Sequence, residues 1–104
     1  MQTSAPTVIN GVDCDALDAT IEAVKADPGL AAFEFRLDNE WVNGGLNRST
    51  VADFSGTRQE LVHEKPFVLY NDEPPALLSG DEGPNPVENL LHALAGDAKN
   101  KAAE

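Results

Sequence analysis

The sequence predicts an α+β domain in which a helix, a three-stranded antiparallel meander, a long loop and a core helix follow one another. Three observations predict it. Phe33, Phe35, Leu37 and Trp41 alternate with Glu34, Arg36, Asp38 and Glu40 at the period of a half-buried strand. Leu17, Ile21 and Val24, and later Val87, Leu90, Leu91 and Leu94, recur at the spacing of one helix face. Between these stretches stand turn-forming clusters, Asn43-Gly44-Gly45 and Ser55-Gly56-Thr57. At 104 residues the chain is one domain, residues 1–104, with a modest core.

Residues 1–6 read as a frayed terminus. Thr7 to Ile9 form a short strand ended by the turn pair Asn10-Gly11. Asp13 or Asp15 caps the first helix, which ends near Asp27 because Pro28 disfavours helical geometry at the residue before it. The meander runs from Phe33 to Trp41, from Leu46 to Phe54, and from Arg58 through a bend at Pro66 to Tyr70. Asn71 to Pro84 carries three of the seven prolines and four acids, and is a loop. Asn85 then caps the second helix, with Pro86 at its first position and Glu88 three residues after the cap, as in a capping box. A three-stranded sheet with one apolar face needs a cover, and this helix is the candidate. Residues 97–104 form a polar tail, either the solvated end of the helix or frayed.

Eighteen acids against seven bases leave a formal net charge of -11, which repels phosphate backbones and anionic lipid heads. Nucleic acid and membrane surfaces are therefore not expected partners. No apolar run reaches the roughly 20 residues of a membrane span, and the polar start Met1 to Val8 lacks the pattern of a signal peptide. The expected location is cytoplasmic.

Few residues suit chemistry. Cys14 is the one cysteine, so an internal disulfide and a multi-cysteine zinc site are excluded. It stands at the start of the first helix, which favours a thiolate, between Asp13 and Asp15, which oppose one. His63 and His92 form no helical metal-binding pair, and Asp72, Glu73, Asp81 and Glu82 do not have the spacing of a calcium loop, so no metal and no cofactor are expected. Those acids read as a solvated loop.

Asn39-Glu40-Trp41, Asn47-Arg48-Ser49-Thr50, Glu73-Pro74-Pro75-Ala76-Leu77-Leu78 and the run from Gly83-Pro84-Asn85-Pro86-Val87-Glu88 through Leu91-His92-Ala93-Leu94-Ala95-Gly96 resemble the first half of an OsmC/Ohr-type protein, the osmotically inducible and organic hydroperoxide resistance family. The resemblance is to the longer, OsmC-like branch with an extra N-terminal helix. It covers about residues 7 to 96 and rests mainly on the Gly-Pro-Asn-Pro run. It implies an intertwined homodimer that reduces organic hydroperoxides with two cysteines, the first on the core helix. That thiolate attacks the peroxide, becomes a sulfenic acid and is resolved by the second cysteine, with an arginine and a glutamate nearby.

Carried over by residue, the resemblance loses its chemistry. Asp97 stands where the family has its first cysteine, and a carboxylate cannot cycle with peroxide. The second cysteine belongs to the half of such proteins beyond Glu104. Arg48 matches the family arginine. Counted in steps of two it shares a face with Leu46, Thr50, Ala52 and Phe54, where a charge needs a partner or a route to water. Val87 stands where other members have the glutamate after Asn-Pro, and Glu88 is explained by capping. No catalytic set is intact at the family-related positions Arg48, Glu88 and Asp97.

The expected function is accordingly that of a non-catalytic OsmC-like protein acting by oligomerisation or partner association. One alternative is a module that binds a small apolar or hydroperoxide-like ligand in an Arg48 pocket. Another is an active hydroperoxide reductase using Cys14 or a complementing chain.

Overall fold

The computed structural model describes residues 7–103, so the expected frayed terminus, residues 1–6, lies outside the described residues. Val8–Ile9 (β1) folds back on Val12–Asp13 (β2) through Asn10 (φ 51°) and Gly11 (φ 79°), the left-handed pair of a tight hairpin turn. The expected strand and turn are both present. The returning strand is an addition, because two residues hold no period to read. Helix α1 spans Cys14–Ala26. Its cap is Asp13, whose carboxylate accepts from the Ala16 amide at 3.0 Å. It ends at Asp27, before Pro28, and a 3-10 turn over Pro28–Ala31 leads toward the sheet.

The sheet consists of Glu34–Phe35 (β3), Asp38–Asn43 (β4), Leu46–Gly56 (β5) and Gln59–Asn71 (β6). Strand β5 is central, with β3 and β4 along one side and β6 along the other, all antiparallel. The chain is thus an α+β fold with the expected order of helix, meander, loop and helix. Its first meander strand is interrupted at Arg36 and Leu37 instead of running unbroken to Trp41. Phe35 pairs with Phe54 and Asp38 with Thr50, so β5 spends one residue more than its neighbour across this gap.

That extra residue corrects the expected parity of Arg48. Without it, Arg48 falls on the face of Phe54. With it, Arg48 lies opposite Glu40 and Tyr70 in register, while Phe54 lies opposite Phe35 on the other face. The second hairpin also differs from expectation. Strand β5 runs on to Gly56, and the turn is Thr57 (φ 50°) and Arg58 (φ 60°), so β6 starts at Gln59. Gly56 signals a turn in the sequence, but its lack of a side chain serves a close approach, since a Cβ there would overlap the Phe33 ring. Pro66 bends β6 as expected without ending it: β6 spends five residue steps between Val62 and Phe67 where β5 spends two.

Helix α2 spans Pro86–Ala103. Its capping box is complete, with the Glu88 amide donating to Asn85 Oδ1 at 2.8 Å and the Asn85 amide to Glu88 Oε1 at 3.0 Å. The polar tail is helical over its described residues, with Lys101 paired to Asp97 at 3.1 Å one turn away.

The expected cover is not found. Helix α2 does not lie over the sheet, and its Val87, Leu90, Leu91 and Leu94 remain 58–63% exposed. Its foothold is Asn89, whose amide donates to Asn71 Oδ1 at 2.6 Å and to the Tyr70 carbonyl at 3.1 Å. Helix α1 is likewise away from the sheet; its segment is tied in by the Arg58 fork on Asp27, at 2.8 and 2.7 Å. Among the described residues no hydrophobic side chain is buried. The radius of gyration is 18.9 Å, against roughly 13 Å for a compact chain of this length, and the long axis reaches 63 Å. No helix among the described residues is long and apolar enough to cross a membrane.

Thr57 is β-branched and left-handed, a conformation that asparagine adopts at less cost. Thr57→Asn is expected to stabilise the fold by about 1 kcal/mol, read as a raised thermal midpoint at fixed protein concentration.

Candidate functional site

The residues singled out for chemistry are held apart by the elements that carry them. Arg48 on β5 donates from Nε to Glu40 Oε1 at 2.9 Å, and its Nη2 makes a second, shorter contact to the same oxygen. The Glu40 carboxylate, and the Tyr70 hydroxyl after it, hold the guanidinium above its ordinary pKa. Arg48 therefore has the partner that a charge on a sheet requires, and its side chain is still 40% exposed. Glu88 is occupied by the capping box and Asp97 by Lys101. No hydrogen bond or ion pair joins any two of Arg48, Glu88 and Asp97 among the described residues.

Cys14 is partly exposed, and its Sγ points at the Val12 carbonyl at 3.8 Å. Among the described residues no basic side chain is bonded to it. No cluster of three or more potential metal ligands occurs among the described residues.

The acidic loop is not uniformly solvated. Asp72 is 1% exposed, the most buried side chain described, and it organises the whole connection. Its Oδ1 accepts from the Ser79 hydroxyl at 2.5 Å and the Glu73 amide at 2.7 Å, and its Oδ2 from the Glu82 amide at 2.9 Å. Ser79 in turn accepts from the Gly45 amide at 3.2 Å, which ties the loop to the β4–β5 turn. A carboxylate filled by local donors is a loop clasp with little left for a cation. The Ser79 hydroxyl first, then the Glu82 and Glu73 amides, hold the Asp72 carboxyl below its ordinary pKa against the effect of desolvation.

Two side-chain rows cross the sheet on the face opposite Arg48. One is made of amides: Asn39 donates to Asn47 at 2.8 Å and to Ser49 at 3.0 Å, Asn71 donates to Asn47 at 3.0 Å, and Asn89 donates to Asn71. It links β4, β5, β6 and α2. The other is aromatic, running Phe33, Phe35, Phe54, His63 and Phe67 with successive ring centroids 5.8, 5.6, 5.2 and 4.9 Å apart. Phe35 is 74% exposed and Phe67 55%. Trp41 shares this face through its register with Asn47 and is 71% exposed, its indole N–H donating to the Gly44 carbonyl at 2.9 Å. Alternation along the sequence groups Phe33, Phe35 and Trp41, but Phe54, His63 and Phe67 join them only through the pairing of β5 with β3 and β6, with His63 sharing the parity of Leu61 opposite Phe54.

The arrangement thus offers an open aromatic face, an open leucine stripe on α2 and no assembled set of reacting groups. No protein-family model matches the chain, and no curated protein matches it.

The clasp carries a pH signature. A depressed carboxyl pKa contributes stability that is present above the ordinary carboxylate range, near pH 4, and is lost as pH falls through the folded-state value. Asp72→Asn should lower the thermal midpoint at pH 7, and its deficit relative to the unaltered protein should narrow as both are titrated below about pH 4. A deficit that stays constant through the acid range would contradict the charged clasp.

Proposed function

We propose that this chain is a non-catalytic OsmC-like subunit whose activity is association, and that its partner is a second copy of itself. One observation carries this reading: the chain buries no hydrophobic side chain among its described residues, while a sheet face without a helix and a helix stripe without a sheet both stand open. Each supplies what the other lacks, and the position of α2 keeps them from meeting within one chain. A reciprocal pairing lets α2 of one copy cover the aromatic face of the other, in the closed two-fold manner of most small oligomers.

The available surface is adequate. An aromatic side chain offers on the order of 150–250 Å², and Phe33, Phe35, Trp41 and Phe67 are each 49% exposed or more. With the four aliphatic residues of α2, two copies together exceed the roughly 1,200 Å² of a stable interface. The resemblance to the OsmC family supports the same reading, because its members are intertwined dimers. The pairing of Arg48 with Glu40 weakens the ligand-pocket alternative, since the charge that would hold an anion is already met. The reductase alternative has no supporting geometry around Cys14.

In sedimentation equilibrium the chain should be a dimer at micromolar concentration, and Leu91→Asp should weaken association at least tenfold, the equivalent of the burial of one leucine. A folded monomer at all concentrations would overturn the proposal. The chain should also consume no cumene hydroperoxide with dithiothreitol above the level of Cys14→Ser. Turnover that depends on Cys14 would move the chemistry to the start of α1.

A further inference from the structure

We propose that Asn43 is a site of spontaneous deamidation, which puts a charge and an extra backbone atom into the turn that anchors the Asp72 loop. The chain has eight asparagines, and the structure separates them. Asn39, Asn47, Asn71 and Asn89 are held in the amide row. Asn85 caps α2 and precedes Pro86, whose nitrogen carries no proton. Asn100 lies inside α2, before Lys101. Asn10 and Asn43 alone precede a glycine.

Asn43 is exposed at the end of β4, an outer strand of the sheet, and the register slips between it and Trp41. Its side chain makes no hydrogen bond among the described residues. Gly44 follows with φ 56°, and its amide is likewise without a partner among those residues. With no side chain, Gly44 does not shield its own nitrogen. The rest of the turn is pinned. The Trp41 indole N–H donates to the Gly44 carbonyl at 2.9 Å, and the Gly45 amide donates to Ser79 Oγ at 3.2 Å. The attacking nitrogen and the attacked amide are left free, on adjacent residues, so the reaction is intramolecular.

The Gly44 nitrogen gives up its proton to hydroxide and adds to Asn43 Cγ. The new N–Cγ bond closes a succinimide ring as the Cγ–Nδ2 bond breaks, and Nδ2 takes up a proton and leaves as ammonia. Water then opens the ring at either carbonyl. One opening gives aspartate; the other gives isoaspartate, with the chain rerouted through Cβ and Cγ. No electron is transferred, and water is the co-reactant. The product sits beside the clasp. A Cβ on Gly45 would lie 3.0 Å from Ser79 Oγ, 3.2 Å from Glu73 Cγ and 3.3 Å from Asp72 Oδ1. A new carboxylate in this turn is repelled by the acids of the loop. Isoaspartate also lengthens the backbone inside a two-residue turn, where loop length fixes the register, and so draws Gly45 off Ser79. The change is one-way and accumulates with the age of the chain.

The experiment is peptide mass spectrometry of the full chain aged at pH 8.5, folded in one sample and unfolded in urea in the other. In the folded chain Asn43 is expected to convert to a mixture of aspartate and isoaspartate at least about tenfold faster than Asn39, Asn47 or Asn71. Asn43→Gln should abolish conversion at that position. The effect on the loop is read in an Asn10→Gly background, which silences the other Asn-Gly pair and keeps its left-handed turn. There the aged, converted chain should melt below the unaged one, and below Asn43→Asp, which adds the charge alone. An Asn43 that converts in urea and persists in the folded chain overturns the site. A converted chain that melts with the unaged one overturns its coupling to the loop.

Discussion

The structure depends on the pairing of β5 with a neighbour on each side. Among the described residues this strand alone is held along both edges, and it runs from the glycine turn at Gly45 to the close approach at Gly56. Ladder hydrogen bonds and cross-strand pairs give the meander its order without a dry interior. The consequence is a molecule whose polar interactions are largely satisfied within one copy and whose apolar surface is not. An isolated sheet of three strands reaches independent stability by packing a face against something. Here the face is present, and among the described residues nothing packs on it.

The polar features make sense in that light. The Arg36 fork, the Arg48–Glu40 pair and the Arg58–Asp27 fork are partly exposed, so each contributes little to stability in water. Their value is in geometry. Arg58 sets where the α1 segment meets the β5–β6 hairpin. The Asp72 clasp sets where the loop delivers Asn85, and Asn85 starts α2 at a defined point beside the end of β6. Asn89 then fixes the helix to the sheet edge through the amide row. With these contacts α2 stands out from the sheet, and its leucine stripe is exposed.

Placing a histidine within the aromatic row changes the character of that surface. A continuous phenylalanine row would be an aggregation hazard on an exposed sheet. The His63 imidazole interrupts it, and amides from Asn39 to Asn89 border it. Arg48 projects from the other side, paired with Glu40.

Much of the fold is legible in the residues alone, because helices, strands and caps are local. The period of Phe33 to Trp41, the stripe of Val87 to Leu94 and the Asn85–Glu88 box each identify their element, and the structure contains all of them. Tertiary structure decided the rest. One extra residue in β5 moved Arg48 to the opposite face, the β5–β6 register set His63 beside Phe54, and α2 stands away from the sheet it was expected to cover, after a loop ordered by the buried Asp72. Register and docking are set by the sum of many weak pairings between distant segments. No window of sequence contains that sum.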